Sequence, residues 1–336
     1  MIRVGIVGAL GYGGREFMRL IMAHPEAELV AAVVREGGKK LAEALPAFGK
    51  MSDLTLESFD AKSLAERCDV VFLAVPGTRS MELGAALFDA GVRVMDLGSD
   101  FRIKDPVAYK QYYKADYSRA ELAKEAVYGH VPWYRDAITT ARVVAVPGCF
   151  PISILTPLRP LIDAAAPEVP VVINSISGVS GAGKGLSDVF HYPAMNENMK
   201  AYKLAVHQHI PEIEQELGGL HTVQFTPHVA PLTRGILSTI VLRPSKEIDP
   251  AALLACYDDE PFVRVMPEGQ IPDINQVRGS NFCDIGFVRD GRTGNIIVVS
   301  CIDNLCGGTA GMGIQCMNVA FGINERAGLM LPGMAP

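Results

Sequence analysis

Arg3-Val4-Gly5-Ile6-Val7-Gly8-Ala9-Leu10-Gly11-Tyr12-Gly13-Gly14-Arg15-Glu16-Phe17-Met18-Arg19-Leu20-Ile21-Met22 lies at the start of the sequence. Residues 3–7 form an apolar run of strand length, and Phe17, Leu20 and Ile21 recur at helical spacing. The turn between them carries Gly8, Gly11 and Gly14, a G-x-x-G-x-x-G spacing rather than G-x-G-x-x-G. Strand, glycine turn and helix, in that order, is the context in which such a turn binds a dinucleotide. The glycines let a pyrophosphate approach the N–H groups at the helix start. A plain tight turn is the competing reading. Its place as the first strand–helix connection favours the cofactor, with Gly8, Leu10, Gly11, Tyr12, Gly13 and Gly14 as the binding residues.

Working outward, Ala27 to Val34 reads as the second strand and Arg35 follows it. An acidic residue at that strand end would suit the ribose hydroxyls of NAD; a cation there, with Lys39 and Lys40 close by, suits the 2′-phosphate of NADP. Glu36 is the opposing charge. Asp69 to Val75 reads as a strand buried on both faces, turning at Pro76-Gly77-Thr78 into a helix that ends near Gly91. Val92 to Leu97 is the next strand, followed by Gly98-Ser99-Asp100-Phe101-Arg102, and residues 142–146 form another after a polar, Tyr-rich excursion over 103–140. Strands alternating with helices predict a doubly wound parallel sheet that binds ligands at the carboxyl ends of its strands. Gly8–Gly14, Arg35, Pro76–Thr78, Ser99–Arg102 and Cys149 all fall at such ends.

Cys149 sits in Ala145-Val146-Pro147-Gly148-Cys149-Phe150-Pro151. Pro147-Gly148 stops the strand, and Pro151 suits the first turn of a helix continuing through Ser153 to Leu161. A thiol at a helix N-terminus is biased toward the thiolate, the form that attacks carbonyl carbon. A small core hydrophobe is the alternative role for a reduced cysteine. From Val171 to Ile176 a strand leads into Ser177-Gly178-Val179-Ser180-Gly181-Ala182-Gly183-Lys184, a small-residue loop able to close over a cofactor or phosphate. His207-Gln208-His209-Ile210-Pro211-Glu212 puts His209 just before a helix start. Two histidines without a third ligand predict no metal site. The runs Thr222–Thr226, Gly235–Leu242, Phe262–Met266, Cys283–Val288 and Asn295–Ile302, with only a short helix capped by Asp249-Pro250 among them, predict a largely antiparallel sheet fit for dimer contacts. Gly308 to Ile323 reads as one helix returned to the first domain.

Composition bounds the function class. The chain has 336 residues, 49% hydrophobic and 20% charged, with a net charge of -6. That is enough for two domains, with no basic stripe for nucleic acid. No apolar run approaches a membrane span, and the early first strand leaves no room for a signal peptide. Seven scattered cysteines without a C-x-x-C pair read as reduced thiols of a cytoplasmic protein.

Taken together, several stretches resemble the N-acetyl-gamma-glutamyl-phosphate reductases and, more distantly, the aspartate-semialdehyde dehydrogenases. They are Gly8 to Glu16, Asp96 to Arg102, Ala126 to Gly129, Pro147 to Cys149, Ser177 to Lys184, His207 to Gln215, Phe225 to His228 with Thr233 to Ile236, Gly279 to Asn281 and Asp303 to Leu305. The resemblance runs nearly end to end. It implies a Rossmann-like NADP-binding domain over 1–148 with 308–336, and an α+β catalytic and dimerisation domain with a mainly antiparallel sheet over 149–307. It implies NADPH-dependent reduction of an acyl phosphate to a semialdehyde through a thioester on Cys149, with His209 as acid and base. Arg102, Glu212, Ser180 and Lys184 become substrate-binding residues; Arg35, Pro76, Gly181, Gly183 and Asn304 join the glycine turn as cofactor-binding ones. The implied partner is a small acyl phosphate, in a homodimer or homotetramer that takes neither nucleic acid nor membrane. Phe150-Pro151-Ile152 stands where the family has Tyr-Pro-Thr, and Gln208 and Gly307 where it has arginine and lysine; the segment after Tyr128-Gly129 is also altered. These departures leave room for another acyl phosphate, aminoadipyl or aspartyl, while a non-catalytic NADP-binding protein would need neither Cys149 nor His209.

Overall fold

The structure is a computed structural model and describes residues 1–219 and 221–334. It falls into two compact units, Met1–Pro147 with Thr309–Met330, and Gly148–Gly308 with residues 331–334. Residues 335 and 336, the tail of the span expected for the NADP domain, lie outside the described residues.

The first unit holds β1 (Ile2–Val7), β2 (Ala27–Val33), β3 (Val70–Leu73), β4 (Arg93–Asp96), β5 (Val127–Tyr128) and β6 (Val143–Ala145). All six run parallel, in the order β2-β1-β3-β4-β6-β5. From β1 the chain moves to one side for β2 and to the other for β3, so the β1/β3 boundary is the point where strand order reverses. There the carboxyl ends leave a crevice outside the sheet. Val4, Ile6, Val70, Val71, Phe72 and Val94 are fully buried, as strands covered by helices on both faces require. The Tyr-rich excursion is more ordered than its polarity suggested. It contains helices Pro106–Tyr113, Ala120–Glu125 and Val131–Thr140 and the short β5.

The second unit holds β7 (Val171–Gly178), β8 (Lys200–Ala201), β9 (Val223–Ala230), β10 (Ile236–Leu242), β11 (Val263–Val265), β12 (Cys283–Asp290) and β13 (Asn295–Ile302). Their order is β11-β12-β13-β10-β7-β9-β8. Four pairings are antiparallel and two, β7/β9 and β11/β12, are parallel.

One sixteen-residue helix, Cys149–Ala164, packs on this sheet although Pro157 and Pro160 lie inside it. Ile152, Ile154, Leu155, Leu158 and Leu161 are buried, and that burial outweighs the lost backbone bonds. The loss is also mended locally. Pro160 has no N–H to offer the carbonyl of Thr156, and the Tyr257 hydroxyl donates to that oxygen at 2.6 Å. The helix meets β7 and β10 through a buried row of hydroxyls: Ser153 Oγ to Ser238 Oγ at 2.7 Å and Ser238 Oγ to Ser175 Oγ at 2.7 Å.

The expectation of one helix over Gly308–Ile323 is corrected. The α-helix covers Gly311–Ala320 and is preceded by a π-helical turn, Cys306–Ala310. The Gly308 N–H reaches five residues back to the Asp303 carbonyl at 2.8 Å. At the far end Gly322, at φ +66°, lets the chain leave the helix. Among the described residues no helix is long and apolar enough to cross a membrane.

Candidate active site

The glycine turn separates residues required by packing from residues that packing leaves open. Gly8 lies at φ +93°, and a side chain there would come within 2.3 Å of the Ala74 carbonyl oxygen. At Gly14 a side chain would meet the Gly8 carbonyl oxygen at 2.4 Å. Both must be glycine for the helix to start so close to β1. Gly11 and Gly13 differ, since added side chains would meet their nearest neighbours at 3.4 Å and 3.8 Å, ordinary contact distances. Packing supplies no reason for these two glycines; a ligand approaching the backbone would supply one. The helix Tyr12–Ile21 begins with Gly11 at its N-cap, has no side-chain cap and carries no acidic residue in its first turn. A bare helix start in a glycine cradle fits the pyrophosphate of a dinucleotide. Leu10 is half-buried and Tyr12 exposed on the same turn, Arg35 is exposed two residues beyond β2, and Pro76 is exposed just past β3.

Beyond β4, Asp100 and Arg102 of the Ser99–Arg102 stretch are tied into the surrounding backbone. Asp100 is fully buried and accepts the N–H groups of Thr78 at 2.6 Å and Met81 at 3.0 Å and the Tyr109 hydroxyl at 2.8 Å. Its carboxylate thereby caps the helix Ser80–Asp89 and holds Thr78 at φ +72°. Asp96 accepts the Gly98 N–H at 2.9 Å and the Ser80 hydroxyl at 3.2 Å. Burial, with Asp100 close by, raises the Asp96 carboxyl to about 7. The Arg102 guanidinium is also buried, and donates to the carbonyls of Val146 at 2.8 Å and Leu97 at 3.1 Å.

In the second unit Cys149 is the first residue of its helix and half-buried. Burial raises the thiols of Cys68 to about 11 and Cys283 to about 12, and those of Cys301 and Cys316 further still. Among the described residues no cysteine is in a disulfide. A side chain at Gly308 would come within 2.9 Å of the Cys149 Cβ, so the π-helical turn depends on glycine to pass Cys149. Gly307 lies close to the backbone of Asn281, less tightly, at 3.1 Å for an added side chain.

His209 is the first residue of the helix His209–Glu216, one position further into the helix than its sequence suggested. The two helix starts are tied together. Glu212, fully buried in the first turn after His209, accepts the Gly148 N–H through Oε1 at 2.8 Å. His207 accepts the His209 backbone N–H through Nδ1 at 3.1 Å. An accepting Nδ1 leaves the ring proton on Nε2, so this histidine is neutral in the fold. Burial, and then the charge of Lys203, pushes His207 down to about 4. Phe150 meets His207 edge-on at 5.5 Å and His209 at 5.8 Å, and the two histidine rings lie 4.8 Å apart. Tyr202 faces His207 at 5.5 Å, and burial together with the nearby Cys149 sulfur raises its phenol above the ordinary value.

The small-residue loop is anchored rather than loose. Val179 and Ser180 N–H groups donate to the carbonyls of Leu232 at 2.8 Å and Thr233 at 3.2 Å. Asn304 donates to the Ser180 hydroxyl at 2.9 Å and accepts the Gly235 N–H at 2.8 Å. Gly181, Gly183 and Lys184 project from this anchor as exposed residues. Among the described residues no three metal-ligating side chains come together.

Known proteins share this organisation. Residues 3–141 match the family model of the semialdehyde dehydrogenase NAD binding domain, and residues 149–304 match that of the semialdehyde dehydrogenase dimerisation domain. An N-acetyl-gamma-glutamyl-phosphate reductase of Desulforudis audaxviator is 42% identical over 100% of both chains. One of Pelotomaculum thermopropionicum is 43% identical over 100% of this chain and 99% of its own. The chain belongs to the N-acetyl-gamma-glutamyl-phosphate reductase family. Solved aspartate semialdehyde dehydrogenases share its fold. One from Vibrio cholerae has a TM-score of 0.72 at 16% identity, covering 96% of this chain and 98% of its own. One from Candida albicans has a TM-score of 0.69 at 17% identity, covering 95% and 98%.

Within this reductase the structure brings Cys149, His209 and Glu212 together around two helix starts, and separately joins Ser180 to Asn304. Sequence reasoning weighed His207 only as a metal ligand and passed over Tyr202, which packs on the same cluster, and Asp100, which orders the β4 loop. The available signals were a second histidine two residues before His209 and a Tyr-rich run after Asp100; neither reveals a hydrogen-bonding direction.

Proposed function

We propose that this oxidoreductase reduces N-acetyl-gamma-glutamyl phosphate to N-acetylglutamate semialdehyde and inorganic phosphate, with NADP as its cofactor and Cys149 as its nucleophile. The observation that carries the reading is the junction of the Cys149 and His209 helix starts through the Glu212–Gly148 bond. Full-length identity to named reductases supports this substrate over aminoadipyl or aspartyl phosphate, and over a role confined to cofactor binding. Residues 1–148 with 308–336 serve as the NADP-binding domain, and 149–307 as the catalytic and dimerisation domain of a cytoplasmic homodimer or homotetramer. Gly8, Leu10, Gly11, Tyr12, Gly13 and Gly14 cradle the cofactor. Arg35 would bind its 2′-phosphate, and Pro76, Gly181, Gly183 and Asn304 are further residues that would hold the cofactor. Bound NADPH supplies the hydride.

The chain's own residues do the rest. The Cys149 thiolate attacks the acyl carbon, the carbon–oxygen bond to phosphate breaks, and phosphate leaves with its electron pair. The oxyanion that forms at the acyl oxygen is met by N–H groups of the helix's first turn. Once the thioester carbon is reduced, the carbon–sulfur bond breaks and the aldehyde departs. His209 donates and accepts the proton at oxygen or sulfur, assistance worth about 10²–10⁴ in rate. Arg102, Ser180, Lys184 and Glu212 hold or frame the substrate.

The reverse reaction tests the reading: reduction of NADP⁺ in the presence of N-acetylglutamate semialdehyde and phosphate. Strict dependence on phosphate is the expected result. Turnover with aspartate or aminoadipate semialdehyde and none with this aldehyde would move the substrate, and turnover with none of the three would leave only cofactor binding.

A further inference from the structure

Among the described residues Lys203 is a cation without an acid. Its ammonium donates to the side-chain carbonyl of Gln208 at 2.7 Å, and among the described residues no carboxylate pairs with it. Its charge is felt at His207, whose ring lies 4.8 Å from that of His209. The preceding residue, Tyr202, lies within reach of the Cys149 sulfur's charge and packs on the same ring. Lys203 is exposed, and partial desolvation lowers the pKa of its ammonium from the ordinary value.

The backbone that presents Lys203 is held away from its preferred conformations. Lys203 lies at φ +47° and Ala205 at φ +58°, in the left-handed region that side-chain-bearing residues rarely adopt. Such conformations persist where the surrounding structure fixes them, and they gather at ligand clamps. A lysine serving only solubility needs neither a strained backbone nor a neutral amide to aim it. A neutral partner orients the ammonium without cancelling its charge, as a site for an incoming anion requires.

We propose that Lys203, aimed by Gln208, binds the phosphoryl group of the acyl phosphate and stabilises the phosphate as it leaves. The proposal rests on the acyl-phosphate reading above and adds a residue to it. A single lysine contact to a phosphoryl oxygen is a charged hydrogen bond, worth about 10- to 100-fold in binding when removed.

Two measurements on Lys203→Met and Lys203→Arg test it. In the phosphate-dependent reverse reaction, Lys203→Met raises the KM for inorganic phosphate at least about 10-fold, leaves the KM for NADP⁺ unchanged, and Lys203→Arg recovers part of the loss. Separately, inorganic phosphate protects Cys149 of the intact enzyme against iodoacetamide, and Lys203→Met requires about 10-fold more phosphate for equal protection. The second measurement needs no turnover, so it reads the anion site even if the acyl phosphate is another one. An unchanged phosphate KM in Lys203→Met overturns the proposal, as does absence of phosphate protection in the wild type. Slower alkylation of Lys203→Met with unchanged phosphate dependence also overturns it, because the lysine would then serve the thiolate alone.

Discussion

At the scale of single residues, His207 separates a positioning role from a catalytic one. Its Nδ1 accepts the His209 N–H, a bond that exists only while Nδ1 carries no proton. The folded state holds the ring near pH 4, against the ordinary 6.5. Between those values the unfolded chain binds the proton and the folded chain does not, so stability falls as pH falls from about 6.5 toward about 4 and changes no further below that. Replacing His207 with Asn keeps an acceptor and removes the titration. Denaturant unfolding of His207→Asn is expected to lose less stability between pH 7 and pH 5 than the wild type loses. Equal losses in the two proteins would show that His207 is not the buried neutral group described here. Cys149 was legible in the sequence because Pro147-Gly148 and Pro151 bracket it with a strand stop and a helix start. His207 was not, since residue order reveals neither burial nor which ring nitrogen accepts.

At the scale of elements, the glycine turn and the proline-bearing helix make opposite demands on packing. Gly14→Ala drives a methyl into the Gly8 carbonyl and is expected to destabilise the first unit by more than about 1 kcal/mol. Gly11→Ala meets only ordinary contact, so it is expected to keep the melting temperature and weaken NADP binding at least about 10-fold. Thermal melts and NADP titration of both variants check this; a Gly11→Ala protein that binds NADP normally would remove the turn from the cofactor site. In the second unit, Tyr257→Phe takes away the donor to the Thr156 carbonyl and is expected to cost about 1–2 kcal/mol of stability while kcat stays within about twofold. Loss of activity without loss of stability would contradict that structural role. The longer strands were readable to within a few residues because their apolar runs are uninterrupted, whereas the two-residue strands β5 and β8 were not read at all. The segment entering the last helix was not. Gly307 and Gly308 carry no side-chain periodicity, and the π-helical turn they form follows from close approach to Asn281 and Cys149, partners distant in sequence.

For the whole molecule, the parallel sheet of the first unit and the mostly antiparallel sheet of the second match the alternation seen in the sequence: strands with helices between them, then strands without. Under the proposed function the first unit supplies a glycine turn at the reversal of strand order, and the second a pair of helix starts carrying Cys149 and His209. The proposed reaction requires that the second unit form an acyl-enzyme on Cys149. Its most direct test mixes the protein with N-acetyl-gamma-glutamyl phosphate without NADPH and follows both phosphate release and intact protein mass. The expected result is a burst of phosphate close to one per active site, an acyl adduct that maps to Cys149, and neither signal in Cys149→Ala. An adduct on another residue, or turnover preserved in Cys149→Ala, would contradict it.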